Sequence, residues 1–276
     1  MPQGNVGLAF LLTTLAGLST AIGSALAMFT RRANKTFLSA ALGFSAGVMI
    51  FVSFVELYPM AREAISKAHG PGLAGWYTAF AFFGGVALIM LIDYLVPEAE
   101  NPHEAPHRDC FEGGEEPGSR PPASSEQRLM RVGVLSALVI GIHNFPEGMA
   151  TFISALTDPR IAVSITVAIA LHNIPEGIAV AAPIYFATGN RKRAFWLSAS
   201  SGLAEPVGAL VAYLVLRPFL SDGLLGIIFA GVAGIMVFIS LDELIPTARE
   251  YGKGHASVYG LVGGMMVMAA SLLIGH

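Results

Sequence analysis

Eight stretches of this 276-residue chain, each 18 to 26 residues long, are too apolar to face water: 6–29, 36–57, 74–95, 132–156, 161–186, 194–216, 224–245 and 257–274. A helix needs about 20 such residues to cross the hydrocarbon of a bilayer, where a bare backbone group finds no partner. The breaks between stretches are charged or rich in proline and glycine, as at Arg31-Arg32-Ala33-Asn34-Lys35, Asn190-Arg191-Lys192-Arg193 and Arg217-Pro218. Such residues end helices. The expected fold is therefore an all-α integral membrane protein with eight transmembrane helices.

Composition supports this and removes other classes. Charged residues make up 13% of the chain, against about 25% in soluble domains. The net charge of −3 and the lack of a basic patch argue against a nucleic-acid partner. A single cysteine, Cys110, rules out an internal disulfide framework. The first stretch resembles a signal peptide at Ser24-Ala25-Leu26-Ala27, but no positive charge precedes it, so it is expected to remain as a first span.

Charge placement orients the spans. Loops following spans 1, 3, 5 and 7 hold twelve of the sixteen Lys and Arg residues. The positive-inside rule then puts those loops in the cytoplasm and both termini outside. The only extended polar stretch follows span 3, is rich in Glu, Gly and Pro, and cannot bury a core. It divides the chain into spans 1–3 (1–95), an acidic cytoplasmic loop (96–130), central spans 4–5 (131–188) and spans 6–8 (189–276).

Two internal repeats set the expected architecture. Residues 47–63 (GVMIFVSFVELYPMARE) and 234–250 (GIMVFISLDELIPTARE) are identical at ten of seventeen positions. Shared apolar composition does not produce a shared Ser-x-x-Glu-Leu-x-Pro-x-Ala-Arg-Glu, so this is a duplication. The second repeat is His143-Asn144-Phe145-Pro146-Glu147-Gly148 in span 4 and His172-Asn173-Ile174-Pro175-Glu176-Gly177 in span 5. Matched copies lie five spans apart in one case and one span apart in the other. Each pair therefore runs in opposite directions, an inverted-repeat 3+2+3 plan of the kind found in secondary transporters.

The chemistry lies in an imbalance. The spans carry Glu56, Asp93, Glu147, Glu176, Glu205, Asp242, Glu243 and the imidazoles of His143 and His172, but no Lys or Arg in any span interior. Each charge at bilayer depth costs at least about 2.5 kcal/mol. The compensating positive charge must come from protons or bound cations. In each hexapeptide His and Glu are four apart and share one helix face. The prolines free the carbonyls of Ile142 and Leu171 from helical bonds, and Gly148 and Gly177 admit a close neighbour. Mixed nitrogen and oxygen ligands suit Zn²⁺, Fe²⁺, Mn²⁺ or Co²⁺, and two carboxylates between two helices can bridge a pair of ions.

Other polar residues leave the choice open. Glu205, before Pro206 in span 6, is a further ligand candidate. Glu56 and Glu243 carry the duplicated Glu-Leu-x-Pro near helix ends, where gating or capping fits as well as ligation. Asp93 reads as interfacial. His103, His107 and Cys110 form a His-x3-His-x2-Cys pattern that fits a solvated linker better than a metal-capture site.

At these residues the sequence resembles the ZIP family of divalent-metal transporters, most closely its bacterial ZupT-type members. The resemblance covers essentially the whole chain and rests on the paired His-Asn-x-Pro-Glu-Gly motifs, which are very specific. It implies a binuclear centre formed by His143, Asn144, Glu147, His172, Asn173 and Glu176, with Glu205 completing the second position. It further implies movement of Zn²⁺, with Fe²⁺, Mn²⁺, Co²⁺ and Cd²⁺ as other cargo, toward the cytoplasm across a bacterial inner membrane. An elevator-like motion, a homodimeric assembly and no prosthetic group belong to the same expectation. The main rival is an intramembrane metal-dependent hydrolase. Such an enzyme typically uses His-Glu-x-x-His, and here Asn144 and Asn173 stand in the place of its general base. A proton-coupled carrier of organic anions is disfavoured because no basic residue would hold the solute.

Overall fold

The computed structural model describes residues 5–29, 35–95, 125–157, 159–219, 221–251 and 254–275. The segment 96–124, with His103, His107 and Cys110, lies outside the described residues, as do the side chains of Asp93 and His143. Among the described residues every element is helical: α1 (Val6–Phe29), α2 (Lys35–Val52), α3 (Tyr58–His69), α4 (Pro71–Leu95), α5 (Ser125–Thr157), α6 (Pro159–Thr188), α7 (Arg191–Gly202), α8 (Ala204–Val211), α9 (Asp222–Ile239), α10 (Ile245–Tyr251) and α11 (Ala256–Gly275). Seven helical runs among these residues are long and apolar enough to cross a membrane: Val6–Met28, Ser39–His69, Pro71–Ile92, Ala162–Ala182, Arg191–Leu216, Asp222–Arg249 and Ala256–Leu273. The 33-residue α5 carries the first His-Asn-x-Pro-Glu-Gly copy.

The runs Ser39–His69 and Asp222–Arg249 continue further than their prolines suggest. Helix α2 passes into α3 through a π-helical turn at Ser53–Leu57, and α9 passes into α10 through another at Ser240–Leu244. Each turn lies just before the duplicated proline, Pro59 or Pro246. A proline offers no N–H, and a widened turn lets the helix continue past the missing bond. The backbone N–H of Tyr58 bonds to the Ser53 carbonyl, and that of Ile245 bonds to the Ser240 carbonyl. The Ser53 hydroxyl donates to the Met49 carbonyl and the Ser240 hydroxyl to the Met236 carbonyl, both at 2.7 Å. The repeated sequence thus produces the same local structure twice.

The helices pack in two groups. One contains α1, α5, α6, α7 and α8; the other contains α2, α3, α4, α9, α10 and α11. They meet chiefly where α2 lies against α6, with smaller contacts of α9 with α5 and α11 with α6. Helix α6 is mostly buried, whereas α4 and α11 turn most of their surface outward. Their outward residues include the large apolar Phe80, Leu91 and Leu273, as lipid contact requires.

Glycine decides how closely the pairs approach. A Cβ at Gly17 would collide with the carbonyl of Gly202, and one at Gly202 with the carbonyl of Gly17, so α1 and α7 cross backbone to backbone. Gly47 and Gly264 seat α2 on α11 in the same way, against the carbonyls of Leu261 and Phe44. Apolar side chains gain little from leaving lipid for a helix neighbour, so close backbone packing takes over that role.

Two adjacent glycines of α11 separate close packing from mere helix composition. Gly264→Leu should lower the thermal unfolding midpoint in detergent markedly, since overpacking costs about 1–3 kcal/mol. Gly263→Leu, at a position with no neighbour near the added carbon, should leave the midpoint close to wild type.

Candidate metal site

Both hexapeptides sit inside continuous helices. Helix α5 continues through Pro146 and α6 through Pro175, so each proline removes a single backbone bond without breaking its span. The described candidate side chains are out of contact with solvent. Asn144, His172, Asn173, Glu176 and Glu205 are 0% exposed and Glu147 is 1% exposed. Glu205 enters from the start of α8, just after the chain bends at Leu203.

Contacts among them cross between helices. His172 Nε2 lies 3.2 Å from Oε2 of Glu147, which joins the two hexapeptides directly. Asn173 Nδ2 donates to the Ala16 carbonyl at 3.2 Å and to Oε1 of Glu205, binding α1, α6 and α8 together. Glu205 stands within electrostatic reach of both Glu147 and Glu176. The Ser45 hydroxyl, from α2, lies 3.5 Å from Oε1 of Glu176. The structure therefore brings Glu147, His172, Asn173, Glu176 and Glu205 into one buried locality.

Several of these groups have unused bonding capacity. Among the described residues, neither side-chain polar atom of Asn144 has a hydrogen-bond partner, nor do Oε1 of Glu147, Oδ1 of Asn173 and Oε2 of Glu205. Burying an oxygen without a partner is costly, and a run of such oxygens beside imidazole nitrogen suits a divalent cation. Among the described residues, no three His, Cys, Asp or Glu side chains already stand in ligand geometry around one point. The His143 side chain, expected as a ligand, is outside that set.

A cavity of about 10 Å³ lies beside Glu147, lined otherwise by apolar residues including Val52, Leu57, Ile169, Val232 and Met236. That is about the room one water needs. A larger cleft of about 700 Å³ between α5 and α7–α8 is lined, among the described residues, by Ile142, Phe145, Val207 and other side chains that are neither carboxylate nor imidazole. Glu56 and Glu243 are buried in the two π-turns. Ser45 and the Ala16 carbonyl were not among the residues expected at the site. Neither carries a motif or a charge, and only their placement marks them.

Paired carboxylate-and-imidazole helices buried in a polytopic bundle define a membrane protein that handles metal cations. Residues 5–272 match the ZIP zinc transporter family, and the chain belongs to that family. It is similar to the zinc transporter ZupT of Lysinibacillus sphaericus, at 58% identity over 99% of each chain. The zinc transporter ZupT of Streptococcus mutans is 55% identical over 96% of this chain and 97% of its own. The zinc transporter ZupT of Clostridium perfringens is 53% identical over 99% of this chain and 97% of its own.

Removing one charge from this cluster should stabilise the protein while weakening its use. With chelator present, Glu205→Gln should raise the unfolding midpoint by several degrees, because a carboxylate charge at bilayer depth costs about 2.5–3.5 kcal/mol. The further rise that Zn²⁺ produces in wild type should shrink or vanish. A lower midpoint with an intact Zn²⁺ response would contradict this reading of the cluster.

Proposed function

We propose that the protein carries divalent transition-metal ions through the membrane toward the cytoplasm, with Zn²⁺ as principal cargo and Fe²⁺, Mn²⁺, Co²⁺ and Cd²⁺ as further substrates. The observation that carries this reading is the buried cluster of Glu147, Glu176 and Glu205 with partnerless oxygens on Glu147 and Glu205, set on helices bearing two copies of one His-Asn-x-Pro-Glu-Gly motif. The names of the relatives point to zinc. The ligands in this proposal are His143, Asn144, Glu147, His172, Asn173, Glu176 and Glu205, holding two ions. No prosthetic group and no chemical reaction take part. A hydrolase reading has no observation in its favour.

The ligands suit an ion that must leave again. Carboxylate, amide and imidazole bind zinc-like ions less tightly than a thiolate set, and each can be replaced in turn by water. All the described ligands come from the first group of helices, while α2 and α9 of the second group close over them. Displacement of one group against the other would carry the bound ions from one side of the membrane to the other. Burial keeps cargo and water apart meanwhile.

The proposed topology is eight spans in a 3+2+3 inverted repeat, with α5 as the fourth. Packing supports it: α1 lies on α6 as α8 lies on α5, and α2 lies on α11 as α9 lies on α4. The units are 1–95, the loop 96–130, 131–188 and 189–276, with both termini outside, in the inner membrane of a bacterium. A homodimer in the lipid bilayer completes the proposal.

Uptake of Zn²⁺ into proteoliposomes containing a fluorescent chelator tests the site. His143→Ala, Glu147→Ala, His172→Ala and Glu176→Ala should each slow uptake by about a hundredfold, the upper range for disturbing a metal site. Wild-type uptake of Zn²⁺, Mn²⁺ and Fe²⁺ by all four variants would overturn the assignment.

A further inference from the structure

The second group of helices reaches the site through a hydroxyl. Ser45 is 0% exposed on α2, where that helix packs against α6. Its Oγ lies 3.3 Å from the carbonyl oxygen of His172 and 3.5 Å from Oε1 of Glu176. A hydroxyl has one proton to donate, so it serves one of these acceptors well or both poorly. Ser53 and Ser240 spend their protons on carbonyls of their own helices; the bonds of Ser45 cross to the other group.

The repeat sets a contrast at this position. Gly47 corresponds to Gly234, so Ser45 corresponds to Val232. Val232 lines the small cavity beside Glu147. Of the two motif carboxylates, Glu176 thus has a hydroxyl 3.5 Å away, while at the matched place Val232 shares with Glu147 the lining of an apolar cavity. A valine fills the same kind of interhelical position, so packing alone does not call for an oxygen at residue 45.

We propose that Ser45 is a positioning residue for transport, its hydroxyl holding Glu176 until a cation takes that carboxylate and then turning to the carbonyl of His172. The proposal rests on the reading of Glu176 as a ligand. A cation arriving at Glu176 competes with the Ser45 proton for the same lone pair. The second acceptor means that the displaced hydroxyl is not left buried without a partner, which would be costly. Because donor and acceptors belong to different helix groups, the exchange links cargo binding to the contact between α2 and α6. Removing the hydroxyl removes this competitor for Glu176, so the ion is held more tightly and released more slowly.

Zn²⁺ uptake by the full chain in proteoliposomes, at matched protein per vesicle, tests this. Ser45→Ala should lower KM and maximal rate together by about tenfold, the weak end of what a hydrogen bond to a charged group is worth. Ser45→Thr, which keeps the hydroxyl, should restore both. An unchanged or raised KM in Ser45→Ala, or failure of Ser45→Thr to differ from it, overturns the proposal and leaves Ser45 a packing residue. Glu176→Gln in the same assay separates the two ways of failing. If it loses transport while Ser45→Ala behaves as wild type, the metal site stands and the Ser45 proposal falls. If Glu176→Gln itself transports normally, both fall.

Discussion

Carboxylates buried in hydrocarbon are the constraint on which the rest of this molecule depends. Glu147, Glu176 and Glu205 are shielded from water, while the Lys and Arg residues of the apolar runs lie toward the run ends. The structure sets polar groups against them: the Asn173 amide on Glu205, the Ser45 hydroxyl near Glu176, and the His172 imidazole against Glu147. An amide and a hydroxyl offset part of the burial cost but supply no net charge. What remains is an appetite for mobile positive charge, which is how a membrane protein can be selective for cations while being almost devoid of charge elsewhere.

Such a cluster has to be built on a rigid frame, and glycine provides it. The backbone crossing of Gly17 and Gly202 brings α1 against α7, beside the helix that carries Glu205. Gly148 and Gly208 do the same between α5 and α8, each meeting backbone of the facing helix, that of Glu205 and Phe145. A side chain at any of these positions would push the ligand helices apart. The glycine content of the chain is therefore part of the site as well as of the fold.

Duplication explains why the two helix groups have matching parts, and departures from it carry the asymmetry that transport requires. The paired π-turns keep the same serine-to-carbonyl bond and the same buried glutamate, Glu56 and Glu243. Around the site the match is looser. Ser45 and Val232 occupy corresponding places, and Glu205 is a ligand candidate without a counterpart in the repeated motifs. A perfectly symmetric cavity would treat its two carboxylates alike; this one does not.

Helix content, membrane insertion, the duplications and the motif residues could all be read directly from the chain. They depend on local pattern: apolar length, charge at the breaks, and residues four apart on one helix face. One local inference needed correction: the spans expected to end at residues 57 and 245 run on past Pro59 and Pro246. A proline costs one N–H, and a neighbouring π-turn or an otherwise intact span absorbs that loss. Only the tertiary structure decided which helices meet: that Glu147 faces His172, that Asn173 spans Ala16 and Glu205, and that a serine without any motif looks at Glu176. Those contacts join residues up to 157 positions apart. They arise from where glycine lets two backbones touch, and no local pattern in a sequence specifies which two backbones those will be.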